Sequence, residues 1–156
     1  MIRNLWRISG FNSLSGEGGL KYSARWHTAG HRFVYLAESP AGALIEHLAH
    51  LELNAKSWPA FYDLIQVTAP DRLEVETLSL PAGDEWKRLP IITRTSGDEW
   101  LRSKRTALAR VPSAIMPHTW NFLLNPDHPE AAEIRIIEIA RADYNPRLFS
   151  KDEFDG

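Results

Sequence analysis

Ser23-Ala24-Arg25-Trp26-His27-Thr28-Ala29-Gly30 puts a guanidinium, an indole and an imidazole at consecutive positions of a predicted loop. Loops carried on a rigid scaffold are where binding groups concentrate, although the same string also reads as a surface loop with one packed tryptophan. Ten residues after Arg25, Tyr35 sits in the apolar run Phe33-Val34-Tyr35-Leu36-Ala37, either as a core tyrosine or as one wall of a site. Downstream, Ala41, Leu44, Ile45 and Leu48 recur at helical spacing and predict an apolar stripe, with Glu46 and His50 on the opposite face. A solvated Glu-His pair four residues apart stabilises a helix by only about 0.3 kcal/mol. The neighbours on that face are Gly42, Ala43 and Ala49, small residues that admit another backbone or a ligand, and a carboxylate lining a cleft can do ionic or acid/base work.

Zinc is a poor match to Glu46, His47 and His50, because the order is not His-Glu-x-x-His and no second histidine cluster supplies a third ligand. No metal site is therefore expected. In Val111-Pro112-Ser113-Ala114-Ile115-Met116-Pro117, the flanking prolines hold Ser113 in extended or turning backbone. Without a Gly-x-Ser-x-Gly elbow, Ser113 reads as a hydrogen-bonding group or a structural turn rather than a nucleophile. Asn121-Phe122-Leu123-Leu124-Asn125-Pro126-Asp127-His128-Pro129 also stands out, without a chemical role attached.

The elements that must position these groups follow from punctuation and periodicity. Asn4–Ser9 reads as a strand, 10–19 as a loop and Phe33–Ala37 as a buried strand. Ser39-Pro40 caps a helix running to about Leu51. Tyr62–Thr68 and Arg72–Leu78 predict strands on either side of a turn at Pro70-Asp71. Ser96-Gly97-Asp98-Glu99 has the form of a capping box opening a second helix that ends near Thr106. Ala107–Val111, Ser113–Met116 and Ile134–Ala140 complete the predicted strands. Strands and helices out of strict alternation indicate an α+β fold. With no repeat or long linker, the chain reads as one domain over 1–150 with a short acidic tail at 151–156.

Composition narrows the partners. The 156 residues carry a net charge of -2, too near neutral for generic nucleic-acid binding. Among the cations, 13 arginines outnumber 5 lysines, which suits a small anionic ligand. The apolar runs fall far short of the ~18 residues that cross a bilayer, and no apolar core of a secretory signal follows the N-terminal charges. The absence of cysteine excludes disulfides and thiolate chemistry and is compatible with the cytoplasm.

The sequence resembles the RES domain family, the toxins of Xre-RES toxin-antitoxin pairs. The resemblance runs through Leu5-Trp6-Arg7-Ile8, Gly16-Glu17-Gly18-Gly19, Ala24-Arg25-Trp26, Val34-Tyr35-Leu36-Ala37, Ser39-Pro40, Ala43-Leu44-Ile45-Glu46 and Val111-Pro112-Ser113. Where the family usually has Gly-Gly-Arg-Trp-Asn, this chain has Ser23-Ala24-Arg25-Trp26-His27. The resemblance implies a compact α+β domain similar to ADP-ribosyltransferases that consumes NAD, as substrate rather than cofactor, by cleaving its nicotinamide-ribose bond. It implies Arg25, Tyr35 and Glu46 as catalytic residues, with Arg7, Trp26, His27 and Ser113 binding substrate. It also implies an Xre-type helix-turn-helix antitoxin that covers the cleft. The acceptor stays open between water, phosphate and a protein side chain, as does homo-oligomerisation. A non-enzymatic interaction module is the competing class, since each of these residues also has a structural explanation.

Overall fold

A computed structural model of the chain describes residues 1–51 and 60–148. Its frame is a seven-stranded sheet: β1 (Ile2–Ile8), β2 (Val34–Ala37), β3 (Phe61–Pro70), β4 (Val75–Thr77), β5 (Leu108–Pro112), β6 (Trp120–Leu124) and β7 (Arg135–Asp143). The strand order is β4-β5-β6-β2-β1-β3-β7, and every neighbouring pair is antiparallel except β4 with β5. Among the described residues three α-helices accompany it: α1 (Gly18–Lys21), α2 (Pro40–His50) and α3 (Pro90–Ser103). The architecture is α+β, as expected. Among the described residues no helix is long and apolar enough to cross a membrane. The acidic tail, 151–156, lies outside the described residues.

Strand alternation gives the sheet two apolar faces. Leu5, Val34, Leu36, Ile65, Val67, Leu108, Phe122 and Leu124 form the core of one. Phe33, Ala109, Val111 and Leu123 face the other way and pack with Trp26, Trp86, Trp100 and Leu101. α3 supplies Trp100 and Leu101 to that second core. Tyr35 on β2 and Asn121 on β6 share the parity of this second face, which brings both toward the site.

Four local readings are corrected. α3 starts at Pro90, so Ser96-Gly97-Asp98-Glu99 lies inside the helix and caps nothing; proline at the first helical position is the start signal, and Leu89 stands at the N-cap. The helix ends at Ser103, where Lys104 turns left-handed with φ 53°. Ser113–Met116 is a turn, closed by the Ser113 hydroxyl accepting the amides of Ile115 and Met116, each at 3.1 Å. On α2 the buried residues are Gly42 and Ala43, whereas Leu44, Ile45 and Leu48 are half-buried and Ala41 is exposed. Gly42 lets the first turn of the helix lie close to the sheet, where a Cβ would come within 3.6 Å of the Ala37 side chain.

Candidate active site

The Arg25-Trp26 pair sits at the tip of a two-residue turn, closed by a bridge between Ala24 and His27 and by the Ala24 amide on the His27 carbonyl at 3.1 Å. α3 holds this turn by its backbone. The Thr93 hydroxyl donates to the Arg25 carbonyl, and Arg94 Nε donates to the Ala24 carbonyl at 2.7 Å. Asp98 accepts the amide and hydroxyl of Thr28 at 2.9 and 2.7 Å. Gly97 meets the Trp26 carbonyl so closely that a Cβ would overlap it. The misread Ser96–Glu99 segment is thus the docking face of a helix. Arg25 itself donates from Nη1 to the Lys87 carbonyl at 3.1 Å, and no carboxylate among the described residues pairs with it.

Tyr35 reaches the base of this turn. Its hydroxyl accepts the Trp26 amide at 3.0 Å and lies 2.8 Å from His27 Nδ1, while His27 Nε2 lies 3.3 Å from the Gly19 carbonyl. One proton arrangement satisfies all three: Nε2–H donates to Gly19, so Nδ1 accepts from the phenol. Burial lowers the His27 pKa, which favours this neutral ring, and raises that of Tyr35 far above the usual phenol range. His27 is 2% exposed and stacks on Phe33 with centroids 4.6 Å apart. Both its nitrogens serve the scaffold, and it does not line the cleft.

On the opposite wall α2 carries Glu46. Ser39 caps the helix, accepting the Gly42 amide at 2.9 Å, and Pro40 occupies the first turn. Glu46 Oε1 accepts from Ser113 Oγ and from Asn121 Nδ2, each at 2.8 Å. Ser113 therefore acts from behind the carboxylate. Asn121 opens a stretch that stands out in the sequence, but its role is not legible there because β6 gives no alternation signal strong enough to show that its side chain faces α2.

A cleft of about 570 Å³ opens between these walls, lined by Arg7, Arg25, Trp26, Tyr35, Glu46, His47, His50 and Asn121 among others. All eight are charged, polar or aromatic groups of the kind that a polar, ring-bearing ligand requires. Arg7 donates to the Ser13 carbonyl at 3.3 Å, and burial lowers the pKa of its guanidinium, which still remains charged. His47 Nε2 lies 2.7 Å from the Tyr144 hydroxyl, and burial lowers its pKa. Among the described residues no group of three potential ligands could hold a metal. The structure brings together Arg7, Arg25, Trp26, Tyr35 and Glu46, with Ser113 in support, and leaves His27 beneath them.

The RES domain family model matches residues 4–146, so the chain belongs to the RES domain family. Within that family its curated relatives are toxins. It is 46% identical over 133 residues to Toxin Res of Pseudomonas putida KT2440, covering 85% of this chain and 90% of the relative. It is 34% identical over 162 residues to the Prs ADP-ribosylating toxin of Sphingobium sp. YBL2, covering 97% and 99%. A chain from the crystal structure of the M. tuberculosis MbcT-MbcA toxin-antitoxin complex shares the fold, with a TM-score of 0.68 at 18% identity over 95% of this chain and 87% of that one. The chain is a RES-family toxin.

Proposed function

We propose that this toxin cleaves the nicotinamide-ribose bond of NAD. The observation that carries the proposal is the Glu46 carboxylate, fixed by two side-chain donors at the wall of a cleft that also presents Arg25 and the Tyr35 ring. Arg25 and Arg7 suit the pyrophosphate, and the Tyr35 face suits the cationic nicotinamide ring. The Tyr35 hydroxyl is committed to Trp26 and His27, which leaves the ring as its means of contact. As the C–N bond breaks, its electron pair leaves with neutral nicotinamide, so no general acid is required. Positive charge then builds on the ribose, and Glu46 stabilises it while accepting a ribose hydroxyl. Water or phosphate attacks the anomeric carbon and loses its proton.

Purified protein incubated with NAD releases nicotinamide on this reading, and the dependence on added phosphate separates hydrolysis from phosphorolysis. Absence of nicotinamide under both conditions refutes it. The 34% identity to a protein named as an ADP-ribosylating toxin supports a second reading, in which a protein side chain is the acceptor. NAD labelled in the ADP-ribose moiety decides between them: label on a macromolecule favours transfer, and soluble products favour the first reading. An Xre-type helix-turn-helix antitoxin that covers the cleft, in the cytoplasm where NAD is spent, completes the proposal. A fold shared with a toxin from a toxin-antitoxin complex supports it. Saturating antitoxin that left NAD turnover unchanged would rule out occlusion.

A further inference from the structure

Both side chains that hold Glu46 bond to the same oxygen, Oε1. Ser113 has no freedom in this, because its own oxygen already accepts the amides of Ile115 and Met116 and its single proton is left for the carboxylate. Asn121 has one productive orientation as well, since turning its amide would aim a carbonyl oxygen at Glu46. That orientation leaves Asn121 Oδ1 buried without a hydrogen-bond partner among the described residues. An unpartnered buried carbonyl opposes folding, and an apolar side chain of similar size between Ala37 on β2 and Val111 on β5 would not. Asparagine is a poor choice here for packing and a fitting one for steering a carboxylate.

We propose that Asn121 is a positioning residue for Glu46, acting with Ser113 to fix the carboxylate rotamer and to leave Oε2 as the oxygen presented to the ribose of NAD. The assignment rests on the NAD-cleaving reading. With Oε1 fully engaged, a ribose hydroxyl and the developing sugar cation meet a single oxygen of known direction. Loss of the Asn121 donor leaves the fold intact and lets the carboxylate swing about Ser113. Turnover therefore falls while substrate affinity, set by the arginines and the aromatic wall, changes little.

Asn121→Leu and Asn121→Asp, each made in the full chain, test this. In Asn121→Leu, thermal stability holds or rises, kcat falls roughly 10- to 100-fold and KM moves less than about threefold. In Asn121→Asp the new carboxyl can donate to Oε1 only when protonated, so activity relative to wild type climbs as pH falls from about 8 to about 5.5, whereas the Asn121→Leu ratio stays flat. Arg7 from β1, Arg25 from the turn, Tyr35 from β2 and His47 and His50 from α2 line the same cleft in all three proteins, so the ratio isolates position 121. Unchanged kcat in Asn121→Leu, a loss that only tracks reduced thermal stability, or flat ratios for both variants would overturn the proposal. If the wild type releases no nicotinamide, it is the NAD reading that fails. The positioning role is then read from the carbon-13 carboxyl resonance of Glu46: a signal altered in Asn121→Leu sustains it, and an unaltered one overturns it.

Discussion

On one wall of the cleft Arg25 and Trp26 are held through their backbone, by hydrogen bonds from Thr93 and Arg94 and by the missing side chain at Gly97. On the other wall Glu46 is held through its side chain, by Ser113 and Asn121. The first arrangement is welded into the second core of the protein, where Trp26, Trp86 and Trp100 pack together. The second hangs on two hydrogen bonds at the surface of a half-buried helix. Damage to the arginine wall is therefore damage to the fold, whereas the carboxylate wall can be disarmed in a protein that remains folded.

Gly97→Ala separates the walls most sharply. A Cβ there has no room against the Trp26 backbone, so the helix and turn must part, at a cost of about 3 kcal/mol or more. Denaturant unfolding should show the loss, with little soluble protein as its extreme form. Glu46→Gln is the opposite case: NAD turnover should drop by roughly 100-fold or more while the unfolding midpoint stays close to wild type. A matching fall in stability would show that both walls are structural and would break the comparison. Ser39→Ala, which removes the cap of α2, should cost about 1 kcal/mol in unfolding and reduce turnover only modestly.

The smallest expected effect is on pH. Burial holds the folded-state pKa of His27 below its unfolded value, so below about 6.5 the unfolded chain takes up a proton that the folded chain refuses. Stability from this group is complete above that pH and declines as pH falls toward the folded pKa. His47, lowered by burial and by His50, acts in the same direction in the same window. Thermal unfolding of His27→Asn between about pH 7.5 and 5.5 should show a shallower acid-side decline than wild type. An identical slope would mean that the Tyr35 to His27 to Gly19 chain does not require a neutral ring.

How far the sequence disclosed this architecture follows from where its signals were local. The Ser39-Pro40 cap, the buried run ending at Ala37 and the long strand at 61–70 depend on neighbours in sequence, and each is present. β6 was not read as a strand, although it is central, because Trp120–Leu124 carries no clear alternation and its partner β2 lies far away in the chain. Asn121 stood out in the sequence, but its role toward Glu46 was hidden with the strand. The docking face of α3 was misread for a related reason: Ser96-Gly97-Asp98-Glu99 satisfies a local capping pattern, while Gly97 and Asp98 answer to Trp26 and Thr28, about 70 residues earlier. His27 misled in the other direction, since a polar residue beside Arg25 and Trp26 suggests a ligand contact, and only the fold shows both its nitrogens engaged below the cleft.

The place of β6 in the sheet sets when this toxin becomes dangerous during its own synthesis. β2, with Tyr35, is made early and must wait for residues 120–124 to slot between it and β5. The turn bearing Arg25 waits likewise for α3, and Glu46 for Ser113 and Asn121. A nascent chain still short of Leu124 can pair β2 with β1 but lacks the strand that joins β2 to β5, and Glu46 lacks its Asn121 donor. Pairings across such sequence distances form late and slowly. Completion of the site thus waits on β6, and the cleft is armed only once residues 120–124 have joined the sheet.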